Sequence, residues 1–182
     1  MGRLAAPDAG LRYAAAMPDS IPVPFATARE RVRAEWIDYN GHMNVGYYHV
    51  AFDNAAESFF QFLGLTPEFR ERHASSTFAL ESHLNFLREV KAGDELRFEA
   101  RLIDFDAKRI HFFEEMFHAG EGYVAASYES VSAYVSMATR RTAPMPQELA
   151  DRLAAVKAAH AVLPRPWQLG HVISAHPPRQ RA

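Results

Sequence analysis

Tyr47-Tyr-His-Val-Ala-Phe-Asp-Asn-Ala-Ala-Glu-Ser-Phe-Phe-Gln-Phe-Leu63 is the stretch on which the fold turns. Tyr48, Ala51, Phe52, Ala55, Phe59 and Phe62 recur in it at helical spacing. An apolar stripe of that breadth predicts a helix buried along most of its length. Gly64 is the expected stop, and Pro67 supports a break. Residues 65–76 read as a polar connection or a short extra helical turn.

C-terminal to that helix the period changes to two. Thr77 to Leu87 is a strand candidate, and Lys91-Ala-Gly-Asp94 reads as a turn. Leu96, Phe98, Ala100 and Leu102 alternate with polar residues. Asp104-Phe-Asp-Ala-Lys108 separates them from a strand at Ile110 to Phe117, and Gly120-Glu-Gly122 leads into a long strand from Tyr123 to Met137. Consecutive hairpins of this kind build an antiparallel sheet. N-terminal to the helix, Val32, Ala34 and Trp36 alternate with Arg31, Arg33 and Glu35, which predicts a strand over Ala28 to Trp36. One strand, a long buried helix and about four strands imply an α+β fold, with the antiparallel sheet wrapped around the long central helix. The expected division is an arm over 1–27, the sheet-and-helix domain over 28–140, and a C-terminal helix and tail over 141–182. Leu149, Leu153, Val156 and Ala159 suit a short surface or interface helix from Gln147 to Ala161. The prolines at 164 and 166 and the polar end from His171 to Ala182 predict little intrinsic order.

A chain of 182 residues with 48% hydrophobic and 23% charged residues fits one folded domain with a small appendage. A net charge of only -2 argues against a basic nucleic-acid binder. The absence of cysteine excludes disulfide, thiolate and zinc-cysteine chemistry. No apolar run has transmembrane length, and the N-terminus lacks the apolar core of a signal peptide. A cytoplasmic location without membrane partners is the resulting expectation.

The chemistry concentrates just before the helix. Asp38, Asn40, His42 and Asn44 crowd around Gly41. A carboxylate, an imidazole and two amides beside a helix N-terminus can attack or polarise a carbonyl. Each residue also has a local reading. Asp38 can close an Asx turn, Asn44 can cap the helix, and His42 can either assist proton transfer or brace a tight turn. Asn40 can bond substrate or close the turn.

The run Asp38-Tyr-Asn-Gly-His-Met-Asn44 followed by Tyr47-Tyr48 resembles the signature of hot-dog fold acyl-CoA thioesterases, in the branch related to hydroxybenzoyl-CoA thioesterase. Asn85-Phe-Leu-Arg-Glu-Val-Lys-Ala-Gly-Asp94 and Asp106-Ala-Lys-Arg-Ile-His-Phe-Phe-Glu-Glu-Met-Phe-His118 strengthen the resemblance. The combination of Trp36-Ile-Asp-Tyr-Asn-Gly-His-Met-Asn44 with Asp106-Ala-Lys-Arg109 is similar to the small thioesterases of carnitine breakdown, the betainyl-CoA thioesterases. The resemblance spans roughly residues 30 to 140. It implies hydrolysis of a short or medium acyl-CoA to a carboxylate and free coenzyme A, without a cofactor or catalytic metal. It also implies a homodimer or dimer of dimers with sites between subunits. Asp38 takes the place of the nucleophile or water-activating base. The Val45 N–H receives the thioester oxygen, with Asn44 and His42 holding the constellation. The motif is less apolar than in the hydroxybenzoyl branch, so that branch's aromatic specificity does not carry over.

Glu81, His83 and Asn85 share one face of the next strand and, with Asn40, are candidates to orient a polar or cationic acyl group. A solvated strand face or a dimer seam is the other reading. Arg88, Lys91, Lys108, Arg109, Arg140 and Arg141 are candidate phosphate contacts for coenzyme A, with Arg88, Lys108 and Arg109 foremost. Asp53 and Glu57 share a helical face and read as surface or partner-facing charges. His111, Glu114, Glu115 and His118 have metal-like residue types, but alternation separates His111 and Glu115 from Glu114 and His118. The competing functions are a noncatalytic acyl-CoA-binding module and a dehydratase-like enzyme on the same fold.

Overall fold

The computed structural model describes residues 20–175. Strand β1 (Phe25–Arg31) leads through a single 3-10 turn at Ala34–Trp36 to helix α1 (Val45–Phe62). A short helix α2 (Pro67–Arg72) precedes strands β2 (Ser75–Phe86), β3 (Glu95–Phe105), β4 (Arg109–His118) and β5 (Val124–Ser136). Two residues of β6 (Arg141–Thr142) pair with the end of β5, and helix α3 (Gln147–His160) follows. The antiparallel sheet runs in the order β1-β3-β4-β5-β2 and curls around α1, giving the hot-dog fold. None of the described helices is long and apolar enough to cross a membrane.

The helix stripe decides the wrapping. Tyr48, Ala51, Phe52, Ala55, Phe59 and Phe60 are buried, and Phe52 meets Phe98 edge to face at 5.6 Å and stacks on Tyr128 at 5.3 Å. Leu96, Phe98, Ala100 and Leu102 of β3 and Ile110, Phe112 and Met116 of β4 form the inner face of the sheet, toward α1. Arg97, Glu99 and Arg101 of β3 and His111, Phe113 and Glu115 of β4 therefore point to the outer face.

Two stretches differ from the sequence expectation. The strand expected over Ala28 to Trp36 lies further N-terminal, because Phe25 stacks on Phe62 at 4.2 Å and extends β1 toward the start of the chain. Val32, Ala34 and Trp36 alternate, yet Trp36 sits in the 3-10 turn, where its ring stacks on Tyr47 at 5.4 Å. Helix α3 buries Leu149, Leu153 and Val156 in the same core as α1. Its final residue, His160, is 4% exposed and works as a staple: Nδ1 accepts the Leu102 N–H at 2.9 Å and Nε2 donates to the Pro22 carbonyl at 2.9 Å. Leu102 lies just past the end of the β1–β3 pairing, which stops at Phe25 opposite Ala100.

The proline-containing segment after α3 lies on the outer face. Arg101 donates to the Pro164 carbonyl at 2.8 Å, and the Gly170 N–H donates to Glu129 at 2.7 Å. Sequence composition missed this order because its bonds are to distant strands. The part of the tail beyond residue 175, and the arm before residue 20, lie outside the described residues.

Candidate active site

The loop before α1 is closed by its own polar groups. The Asp38 N–H donates to the His42 carbonyl at 3.1 Å and the Gly41 N–H to the Asp38 carbonyl at 3.0 Å. One Asp38 carboxylate oxygen accepts the Asn40 N–H at 2.8 Å, the Asx turn that Asp and Asn favour. Gly41 has φ of +82°, a conformation in which a Cβ is strained. The loop is then tied to the body of the protein: the Asn44 N–H donates to the Trp36 carbonyl at 2.8 Å and the Met43 N–H to the Val90 carbonyl at 2.9 Å.

These ties set the start of α1. Asn44 is the N-cap, and its side-chain oxygen accepts the Gly46 N–H at 3.0 Å. Its carbonyl takes the Tyr47 N–H at 3.0 Å. The Val45 N–H is left without an acceptor among the described residues, at the positive end of an 18-residue helix. Capping and donor placement are thus one arrangement. Asp38 is half-buried and forms no ion pair among the described residues, so its second oxygen faces no competing cation. The His42 ring approaches only the Met43 carbonyl, at 3.5 Å, and its link to Asp38 runs through the backbone. Tyr48 lies buried beneath the loop, with its ring edge on Phe86 at 5.2 Å, and burial raises its phenol above the usual range.

Other candidates lie elsewhere. Glu81, His83 and Asn85 are on the outer face of β2, opposite Val131, Glu129 and Ser127, so they do not join Asp38 within the subunit. The His83 ring stacks on His171 at 6.0 Å, and Asn85 approaches His83 at 3.4 Å. Arg88 is at the same end of the sheet as the site loop and covers the Tyr123 ring at 3.8 Å. It also lines an outer-face cleft of about 880 Å³ with Arg101, Arg165 and Trp167. Lys108 and Arg109 sit at the opposite end of β4, where both backbone N–H groups bond Asp106, at 2.7 and 2.8 Å. On α1, Glu57 is held by a two-pronged pair with Arg70, at 2.9 Å on both prongs. His111 pairs with Glu129 at 2.8 Å on the outer face, and Glu115 pairs there with Arg101 at 2.9 Å.

Sequence reading weighed Glu114 only as one of four residues of metal-like type. It lies on the inner face of β4, opposite Tyr128 of β5 and Ala100 of β3, and is 0% exposed. Neither carboxylate oxygen has a hydrogen-bond partner among the described residues. Burial, and after it the Asp53 charge, holds its carboxyl well above the usual range. The available signal was an acid in phase with Phe112 and Met116.

A sheet curled around one helix, entered through the loop that carries Asp38, is the fold in which the chain's relatives are found. The chain belongs to the Thioesterase-like superfamily, whose pattern matches residues 32–153, and it is a thioester hydrolase of the hot-dog fold. It is similar to the betainyl-CoA thioesterase of Pseudomonas aeruginosa, with 36% identity over 148 residues that cover 81% of this chain and 93% of that protein. It is also 31% identical over 143 residues to the L-carnitine dehydrogenase/betainyl-CoA thioesterase of Rhizobium meliloti, covering 79% of this chain but 29% of that longer protein. Among solved structures, a Staphylococcus aureus protein in complex with CoA superimposes with a TM-score of 0.77 at 27% identity, over 86% of this chain and 99% of that one.

Proposed function

We propose that the protein hydrolyses a short acyl-CoA with a cationic head, betainyl-CoA, to the free acid and coenzyme A. The observation that carries the chemistry is the Val45 N–H without an acceptor, held by the Asn44 cap beside the Asp38 loop. The thioester oxygen accepts from that N–H, and the helix dipole steadies the charge that develops on it. Asp38 either takes a proton from the attacking water or attacks the carbonyl carbon itself. In the first route water oxygen bonds to carbon, the carbon–sulfur bond breaks, and the thiolate leaves and is protonated. In the second the same bond breaks as a mixed anhydride forms on Asp38, which water then opens. A single turnover in heavy-oxygen water tests for the second route, since label appearing in the Asp38 carboxylate requires an anhydride opened at the Asp38 carboxyl carbon, whereas the first route labels only the released acid. His42 and Asn44 position the loop, and Asn40 is the proposed substrate contact. The substrate assignment is supported by the similarity to betainyl-CoA thioesterases.

The working unit of this proposal is a homodimer or dimer of dimers in the cytoplasm. Strand β2 is an open sheet edge of 12 residues, and exposed Leu80 and Phe86 lie along it. Antiparallel pairing of two such edges brings the β3–β4 hairpin of a second subunit to the site end of the first. Arg88 is the proposed phosphate contact from one subunit, and Lys108 and Arg109 of the partner subunit are the others. Glu81, His83 and Asn85 then lie along the seam. The working domain over 28–140 carries the chemistry, with the arm and the C-terminal region as additions to it.

Release of free thiol from a panel of acyl-CoA esters tests the function. Betainyl-CoA is expected to give the highest kcat/KM. A large preference for uncharged long-chain acyl-CoA would overturn the substrate assignment.

A further inference from the structure

The segment after α3 and the outer face of the sheet enclose the cleft of about 880 Å³. The segment is fixed at both ends. The Pro164 carbonyl accepts from Arg101 at 2.8 Å, and the Gly170 N–H donates to Glu129 at 2.7 Å. Between these anchors the Leu169 N–H bonds the Pro166 carbonyl at 3.3 Å, and Gln168 and Leu169 are buried. Pro164 and Pro166 restrict the backbone further. One wall of the cleft is therefore formed before anything binds. The segment lies beyond residues 32–153, which match the family pattern, so the shared fold does not by itself supply this wall.

The charge around the cleft is out of balance. Arg101 on the sheet is matched by Glu115 at 2.9 Å. Arg165 has no acid partner among the described residues, and its guanidinium reaches the Leu169 carbonyl at 3.3 Å. Arg88 covers the Tyr123 ring and meets Glu121 only at 3.4 Å, with both side chains more than half exposed. Three guanidiniums against one carboxylate leave the lining cationic, in a chain whose net charge is -2. Like charges held around one cleft repel, and a bound anion relieves that repulsion. Trp167 adds a second chemistry. Its side chain lines the cleft, the residue is 37% exposed, and the ring is held by an edge contact with His171 at 5.6 Å. Guanidiniums take phosphate through paired hydrogen bonds, and an exposed indole takes the face of a flat base. The volume suits a ligand of nucleotide size.

We propose that this cleft binds a nucleoside phosphate, with the base on Trp167 and the phosphates between Arg165 and Arg88. Two sources carry that chemistry: the adenosine end of a coenzyme A substrate and a free nucleotide. Arg88 stands two residues before Val90, whose carbonyl holds the Met43 N–H of the site loop at 2.9 Å, so the cleft opens at the site end of the sheet. The first source rests on the thioester reading above, and the second does not.

Calorimetry with adenosine 3′,5′-bisphosphate tests the site in the full-length parent, Arg165→Gln, Trp167→Leu and Trp167→Phe. The parent is expected to bind. Affinity falls about tenfold in Arg165→Gln and in Trp167→Leu, and Trp167→Phe restores most of it. Inorganic pyrophosphate, which has no base, loses affinity in Arg165→Gln alone. Kinetics separate the two sources. The measure is kcat/KM for an acyl-CoA that the parent hydrolyses, divided by that for the matching acyl-pantetheine ester, which lacks the nucleotide. A tenfold fall of this ratio in Arg165→Gln assigns the cleft to the substrate's own adenosine end. A ratio that holds, with bisphosphate binding weakened, keeps the site and assigns it to a free nucleotide. A parent that does not bind the bisphosphate at millimolar concentration overturns the site. So does an affinity that either Arg165→Gln or Trp167→Leu leaves unchanged. Binding needs no turnover, so failure of betainyl-CoA as a substrate is read separately.

Discussion

The two faces of the sheet treat ionisable groups in opposite ways. On the outer face of β3, β4 and β5 they are paired. Arg101 pairs with Glu115 at 2.9 Å, His111 with Glu129 at 2.8 Å, and Arg97 with Glu99. The segment after α3 adds backbone bonds to the same groups, from the Gly170 N–H to Glu129 and from Arg101 to the Pro164 carbonyl. On the side of α1, Asp38 and Asp53 have no cation among the described residues, and Glu114 has no partner. Strand alternation delivers acids to both faces, but only the outer one completes them with protein. A pair that is complete holds structure. An acid without a cation is available to a ligand or a reaction, and it costs stability while it waits.

The largest effect expected from breaking that contrast is in Asp38→Asn. Turnover should fall by about 10²-fold or more while circular dichroism matches the parent, since the amide keeps the size and the turn bond. A near-parent kcat would shift the role toward His42. The outer-face counterpart, Glu129→Gln, should do the reverse: turnover persists, and stability falls by about 1–3 kcal/mol in urea titration as the His111 pair weakens.

His160 offers a test in pH. Burial holds its imidazole below the usual range, so the unfolded chain binds a proton more readily than the folded one. Stability is therefore full above the unfolded value near 6.5 and declines as pH falls toward the lower folded value, by up to about 1.4 kcal/mol per pH unit. Urea midpoints measured from neutral to mildly acidic pH should show the decline in the parent. The decline should be shallower in His160→Gln, which also loses about 1–2 kcal/mol overall through one of its two buried bonds.

The smallest shift has the opposite sign. The folded Glu114 carboxyl titrates above its unfolded value, so its contribution to stability is present below about pH 4 and is lost as pH rises toward the folded value. At neutral pH Glu114→Gln should raise the thermal midpoint, by a stability gain of about 1 kcal/mol. A lowered midpoint would mean that the carboxylate has a partner in solution and that the two faces differ less.

The elements that were legible were those with one dominant period. The α1 stripe and the alternation of β3, β4 and β5 each place apolar side chains on one surface, and burying that surface leaves little choice of structure. The site loop was legible for a related reason. Asp38, Asn40, Gly41 and Asn44 close their turn and cap their helix through bonds spanning a few residues, so short-range chemistry is enough to assemble them. Trp36 defeated the period, because a buried ring can be delivered by a 3-10 turn as well as by a strand, and its contact with Tyr47 decides which.

By itself, then, the sequence determined the helix, the hairpins and the polar turn before the helix, since local periodicity and local hydrogen bonds specify them. Only the tertiary structure decided which strand face meets α1, and with it that Glu81, His83 and Asn85 turn away while Glu114 is buried on the inner face beside Tyr128. It also decided that His160 joins Leu102 to Pro22 and that the segment around Pro164 and Gly170 is ordered on the outer face. Those outcomes depend on bonds and burial between residues far apart in the chain, which no window of sequence contains.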